Sequence, residues 1–136
     1  MEYQLKTYIM SHFSHIKTRI QNLEYLEKAL TKLTISYKTK TKKIKGYQNE
    51  TFNVTLSIPQ SNGYDIGFNW NGKEYELIAD LSFWQQKWSV ETFMDKLFQA
   101  YASETILIES NKQGFQPVKE STNIDGSITL VLERWK

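Results

Sequence analysis

The sequence predicts an α+β domain: a single antiparallel sheet of about six strands with two helices packed on one face, in the order β-α-β-β-β-β-α-β-β. Three observations carry this. The stretch "YDIGFNWNGKEYELI", residues 64–78, alternates apolar and polar residues on both sides of an Asn-Gly pair. Leu23, Leu26, Leu30 and Leu33 recur at i, i+3, i+7 and i+10, the spacing of one helical face. Val90, Phe93, Leu97, Tyr101 and Ile108 mark the stripe of a second, longer helix.

In chain order, residues 11–20 read as a strand with Phe13, His15 and Lys17 on one face. Asn22 caps the first helix, and Glu24 and Lys28 stand at i, i+4 in the favourable order. Residues 34–41 look extended, with Ile35 and Tyr37 on one side. In "TFNVTLSI", residues 51–58, Phe52, Val54, Leu56 and Ile58 alternate with polar residues, so one half-buried strand is expected, ended by Pro59.

Asn71-Gly72 is a hairpin signal, because a type I′ turn needs positive φ at both central positions. With these two residues as the loop, Phe68 faces Tyr75, Ile66 faces Leu77 and Tyr64 faces Ala79, all on one side. Asp65, Glu74, Glu76 and Asp80 then fall on the other side, read as a solvated face. The alternating aromatics are accounted for by burial. Ser89 caps the long helix, Trp88 and Phe93 fit a hydrophobic staple, and Gly114 is its stop. "FQPVKES" and "SITLVLERW" pair as a last hairpin, with Pro117 marking an edge strand.

With 136 residues, one domain is the default, and the chain can bury roughly two-thirds of its unfolded surface. Cys 0 rules out disulfides and thiolate chemistry. A net charge of +2 is too even to announce a nucleic-acid or membrane partner. No segment reaches the roughly 20 apolar residues of a membrane span, and no secretory leader is visible.

Four groups of residues are candidate sites. His12 and His15 stand at i, i+3, which on a strand sends the rings to opposite faces; with no third His and no Cys, no metal is predicted. "KTKTKKIK" carries Lys38, Lys40, Lys42, Lys43 and Lys45, which would track a phosphate backbone or simply guard a sheet edge. "WQQKW" offers Trp84, Gln85 and Gln86 as a binding rim, and Trp70 and Lys73 stand at the hairpin tip. Asp65, Glu74, Glu76 and Asp80 would serve as paired carboxylates but read better as the solvated face, and no phosphate loop or nucleophile motif is present, so no catalytic residue and no cofactor are assigned.

"MSHFSHIKTRIQNLEYLEKAL" at 10–30, "YDIGFNWNGKEYELIADLSFWQQKWS" at 64–89, "NKQGF" at 111–115 and "DGSITLVLERW" at 125–135 resemble the hypothetical chloroplast reading frame thirty-five family. That is a family of unknown function from algal plastids and cyanobacteria. The resemblance implies a plastid-encoded protein, stromal or thylakoid-associated, with no transit peptide. It carries over no catalytic or binding residues. The family usually begins at the methionine that is Met10 here. Residues 1–9 are therefore expected to be an extension, disordered or loosely docked, before a single domain at 10–136.

The expected function is a small non-catalytic module that binds or assembles with another protein, through Trp70, Lys73, Trp84, Gln85 and Gln86. Peripheral membrane contact is compatible with it. The alternatives are a nucleic-acid binder using the 38–45 lysines and an enzyme whose site is unrecognised.

Overall fold

The computed structural model describes residues 12–40 and 43–134. The proposed extension at 1–9 and Lys42 lie outside them. The elements are β1 (Ser14–Ile20), α1 (Leu23–Lys32), β2 (Lys43–Lys45), β3 (Thr51–Asn53), β4 (Leu56–Ile58), β5 (Ile66–Trp70), β6 (Tyr75–Ala79), α2 (Val90–Lys112), β7 (Phe115–Thr122) and β8 (Ile128–Arg134). The class is α+β with an antiparallel sheet, as expected. The strands divide differently: a four-stranded sheet β1-β6-β5-β4, and two separate hairpins, β2-β3 and β7-β8.

Both helices form as their caps dictate. The Asn22 side chain accepts the Tyr25 N–H, and Ser89 accepts that of Thr92. They pack on one face of the sheet. Ile20, Leu26, Leu30, Leu56, Ile66, Phe68, Leu77, Phe93 and Leu97 make one core without exposed members. Trp84 and Trp88 pack against its margin.

The other face of the sheet is partly covered. Ile44 of β2, Phe52 of β3 and Val54 pack on Phe13 and Ile78 to form a second, smaller core. This is why the expected strand 51–58 is two strands. Its alternating residues serve different cores: Phe52 and Val54 one, Leu56 and Ile58 the other. The chain bends at Val54-Thr55 to change partners, from β2 to β5. Gly67 admits that bend. A Cβ there would stand 2.8 Å from the Leu56 carbonyl oxygen and 2.8 Å from Val54 Cγ1. Residues 34–40, the described part of the expected extended stretch 34–41, form no strand. Lys38 alone bridges to Ser57.

The β5-β6 register differs from expectation by two residues. Phe68 pairs with Leu77 and Trp70 with Tyr75. The turn is centred on Gly72-Lys73, with Gly72 at φ +99. Asn71 is the reason. Its side chain accepts the N–H groups of Lys73 and Glu74, both at 2.8 Å, while its own N–H bonds the Glu74 carbonyl at 3.0 Å. A shift of two preserves every side chain's face.

The carboxylates opposite are not a solvated row. Glu74 and Asp80 are buried, at 7% and 5% exposure. Asp80 accepts the Tyr47 N–H at 2.9 Å and the Ser82 hydroxyl at 2.6 Å, tying the chain after β2 to the end of β6. Buried carboxylates are tolerated where donors converge on them.

Candidate functional site

The tip of the β5-β6 hairpin gathers three of the residue types that anchor protein interfaces. Trp70 is 42% exposed and meets the Tyr75 ring edge-on, with centroids 5.0 Å apart. Tyr75 pairs with Trp70 on one side and with Ile20 on the other. Burial pushes the Tyr75 phenol up, with the Glu27 charge adding to it. Lys73 is exposed at the turn, and Gln21 Nε2 donates to its carbonyl at 3.3 Å. Arg19, also exposed, lies in a bulge of β1 beside the tip.

That bulge is left-handed at a non-glycine residue: Arg19 has φ 64. Such a conformation costs roughly 1–2 kcal/mol and must be held by its surroundings. Glu74 Oε1 accepts the Arg19 N–H at 2.7 Å, Thr18 Oγ1 donates to the Tyr75 carbonyl at 2.5 Å and Ile20 N–H donates to Thr18 Oγ1 at 3.0 Å. The tip is thus built on fixed backbone. Arg19 carries no sequence signal that would have singled it out; it is found through the bulge.

Trp84, Gln85 and Gln86 lie at the other end of the same hairpin, a strand length of about 17 Å away. The structure does not bring them together with Trp70 and Lys73. Trp84 is partly buried, edge-on to Phe93 at 5.3 Å, with Nε1 donating to the Trp88 carbonyl at 2.9 Å. Trp84 thus sets its ring against Phe93, and Trp88 packs against the core that holds Phe93. The exposed face of Trp88 is occupied by Lys87 and Lys96, whose Nζ atoms stand 5.1 and 5.3 Å from its ring.

The two amides answer to a third. Gln60 is buried, at 8% exposure. Its Oε1 accepts the Gln85 N–H at 2.9 Å and Gln86 Nε2 at 3.0 Å. Its Nε2 donates to the carbonyls of Tyr64 at 2.5 Å and Phe83 at 3.0 Å. Gln85 Oε1 accepts from Ser61 Oγ at 2.8 Å and Asn62 N–H at 3.0 Å. The group closes the loops at this end of the sheet.

The lysines are divided. Lys38 is held at the β4 edge, and Lys43 and Lys45 flank the buried Ile44 on β2. Lys45 Nζ sits 5.0 Å over the Tyr64 ring, itself stacked on Phe83 at 3.8 Å. Lys40 is exposed.

Both histidines lie against the β2-β3 hairpin, not on opposite faces, because His12 precedes the strand that begins at Ser14. His12 stacks on Tyr47 at 4.6 Å and bonds Glu50 at 2.6 Å. His15 meets Phe52 edge-on at 4.9 Å and bonds Glu76 at 3.3 Å. These carboxylates are distant in sequence, so no local pattern reveals them. Among the described residues no group of three or more His, Asp or Glu side chains is placed to hold a metal. Among the same residues no helix is long and apolar enough to cross a membrane.

The family model described as "Protein of unknown function (DUF1257)" matches residues 29–131. The protein named "Uncharacterized protein ycf35" of Guillardia theta is 50% identical over 127 residues, covering 93% of this chain and 99% of that one. Its namesake of Trieres chinensis is 54% identical over 122 residues, 88% of this chain and 94% of that one. That of Pyropia yezoensis is 44% identical over 126 residues, 93% and 98%. No solved structure matches. The chain belongs to the DUF1257 family, whose function is unknown, and the uncharacterised ycf35 proteins are its relatives.

Proposed function

We propose that this chain is a non-catalytic protein-interaction or assembly module that works in the plastid as a single domain spanning residues 10–136. Its contact is the β5-β6 tip, where Trp70 and Lys73 are joined by Arg19. The observation that carries this is the exposed Trp70 ring set edge-on against Tyr75 above a rigid bulge. A large aromatic held in place loses little freedom on docking, which is how Trp, Tyr and Arg come to dominate interfaces. Trp84, Gln85 and Gln86 support the fold at the far end and serve the contact only by keeping the hairpin in register.

The test is affinity purification of the tagged chain from its own organelle, with and without nuclease, using the wild type and Trp70→Ala. A stoichiometric protein that survives nuclease and is lost with Trp70→Ala supports the tip as the contact. Equal recovery with both chains overturns it. Loss of every partner on nuclease treatment would move the assignment to nucleic acid and to Lys38, Lys40, Lys43 and Lys45.

A further inference from the structure

We propose that the free edge of β8 is a self-association surface that takes β8 of a second copy, antiparallel, to make a four-stranded sheet β7-β8-β8′-β7′. This is independent of the tip.

The two edges of the β7-β8 hairpin are unlike. β7 is guarded: it contains Pro117, which has no N–H, and its register shifts between Pro117 and Lys119. Prolines and bulges are what blunt an edge against further pairing. β8, "ITLVLER", is seven residues long with neither device. Among the described residues it pairs with β7 alone. Its remaining backbone donors and acceptors face outward.

The hairpin is also unfinished as a folded unit. None of residues 115–134 is buried, although they include Phe115, Val118, Ile128, Leu130, Val131 and Leu132. A two-stranded hairpin is marginal by itself.

The surroundings of the β8 edge are apolar. A groove lined by Gln99, Ala102, Ser103, Ile128 and Leu130 places β8 alongside Ala102 of α2. Phe98 and Ile106 stand one turn to either side of Ala102 on the same helix face. They are 48% and 47% exposed. A two-fold axis perpendicular to the sheet keeps both copies of α2 on one side, so these flanks approach each other when the edges pair. That adds apolar burial to main-chain hydrogen bonds.

The strand complements itself. With Val131 opposite its own copy, Leu130 meets Leu132, Thr129 meets Glu133 and Ile128 meets Arg134. The apolar centre is shared and no like charges oppose, whereas parallel pairing in register would set Glu133 against Glu133.

The test is sedimentation of the full chain at concentrations up to about 100 μM, beside crosslinking. The chain has no cysteine. Val131→Cys is expected to give a covalent dimer on mild oxidation, and Val118→Cys on β7 to stay monomeric. Val131→Lys and Phe98→Glu are each expected to weaken the dimer about tenfold or more, with circular dichroism unchanged. A wild type that is monomeric throughout the range overturns the proposal. So does a dimer that both variants leave intact, or crosslinking at residue 118 in preference to 131. If Val131→Lys fails to fold, Phe98→Glu and the crosslinks decide, since Phe98 lies on α2 and the cysteines add no charge to either strand.

Discussion

Glu74 Oε1 accepts the backbone N–H of Arg19 at 2.7 Å across the β1-β6 pair, and so holds a left-handed bulge open beside the hairpin tip. Glu74→Ala removes the acceptor and leaves a part-buried N–H without it. A loss of about 1–3 kcal/mol is expected in urea denaturation. Glu74→Gln keeps an acceptor of the same reach and is expected to lose clearly less. Equal losses would show that the hydrogen bond is not what holds the bulge.

Gly67 and Ser57 are cross-strand partners with opposite tolerances. Gly67→Ala drives a Cβ to 2.8 Å from a backbone oxygen that cannot swing aside. It is expected to destabilise by at least about 1–3 kcal/mol, the usual toll of overpacking. Ser57 Oγ is buried with no hydrogen-bond partner among the described residues. Ser57→Ala is therefore expected to be neutral within about 0.5 kcal/mol, or stabilising. Thermal melts of the two variants side by side check both.

At the far end of the hairpin, Gln60→Ala strands the carbonyl of Tyr64 and the N–H of Gln85, while the Phe83 carbonyl keeps the Asn62 Nδ2 donor. Two kcal/mol or more, on the order of one to three per orphaned group, is expected to be lost. Trp84→Ala removes the ring packed on Phe93 and is expected to lower stability by about 3–5 kcal/mol. A Trp84→Ala chain that melts like the wild type would return this tryptophan to the list of free surface anchors.

Acid is expected to loosen the C-terminal hairpin before the main sheet. Two carboxyls there, and Glu109 near the end of α2 before it, are held below their ordinary range. Glu120 is lowered by the hydrogen bond from Lys32, Glu109 by those from Tyr25 and then Lys112, and Asp125 by that from the Ser127 hydroxyl. A carboxyl lowered in the folded state stabilises it above the ordinary value, about pH 4. That contribution is lost as pH falls through the lowered values. The pairs are solvent-exposed, so each effect is small. Amide protection factors across 115–134 are expected to fall ahead of those in β5 and β6 between about pH 5 and pH 3. A simultaneous fall would deny the hairpin its separate titration.

The helices, their caps and the face of each β5-β6 side chain were legible because periodicity and capping act within a few residues. Asn71 shows where that legibility stops. Asn-Gly was rightly read as a turn, but its side chain takes two N–H bonds and moves the loop by one position. The split at Val54-Thr55 was hidden because alternation looks the same whether one core or two receives the residues. Gln60, Glu74 and Asp80 were hidden for a different reason. Polar residue types read as surface, and only distant partners show that they are buried. The tip tryptophan was visible in sequence; the bulge that fixes it depends on Glu74, far along the chain.

The pairing of β1 with β6 sets an order on synthesis. The first strand emerges early yet has no neighbour until Ala79 has been made. Phe93, Leu97 and Ala100, which lie over the sheet, follow about twenty residues later, an interval of about 1–4 s at ordinary elongation rates. Throughout it, Leu56, Ile66, Phe68 and Leu77 have only Leu26, Ala29 and Leu30 of α1 to cover them. A chain cut short before Val90 would hold a complete sheet with its apolar side only half covered, by α1 alone, and would expose the places that Phe93, Leu97 and Ala100 fill.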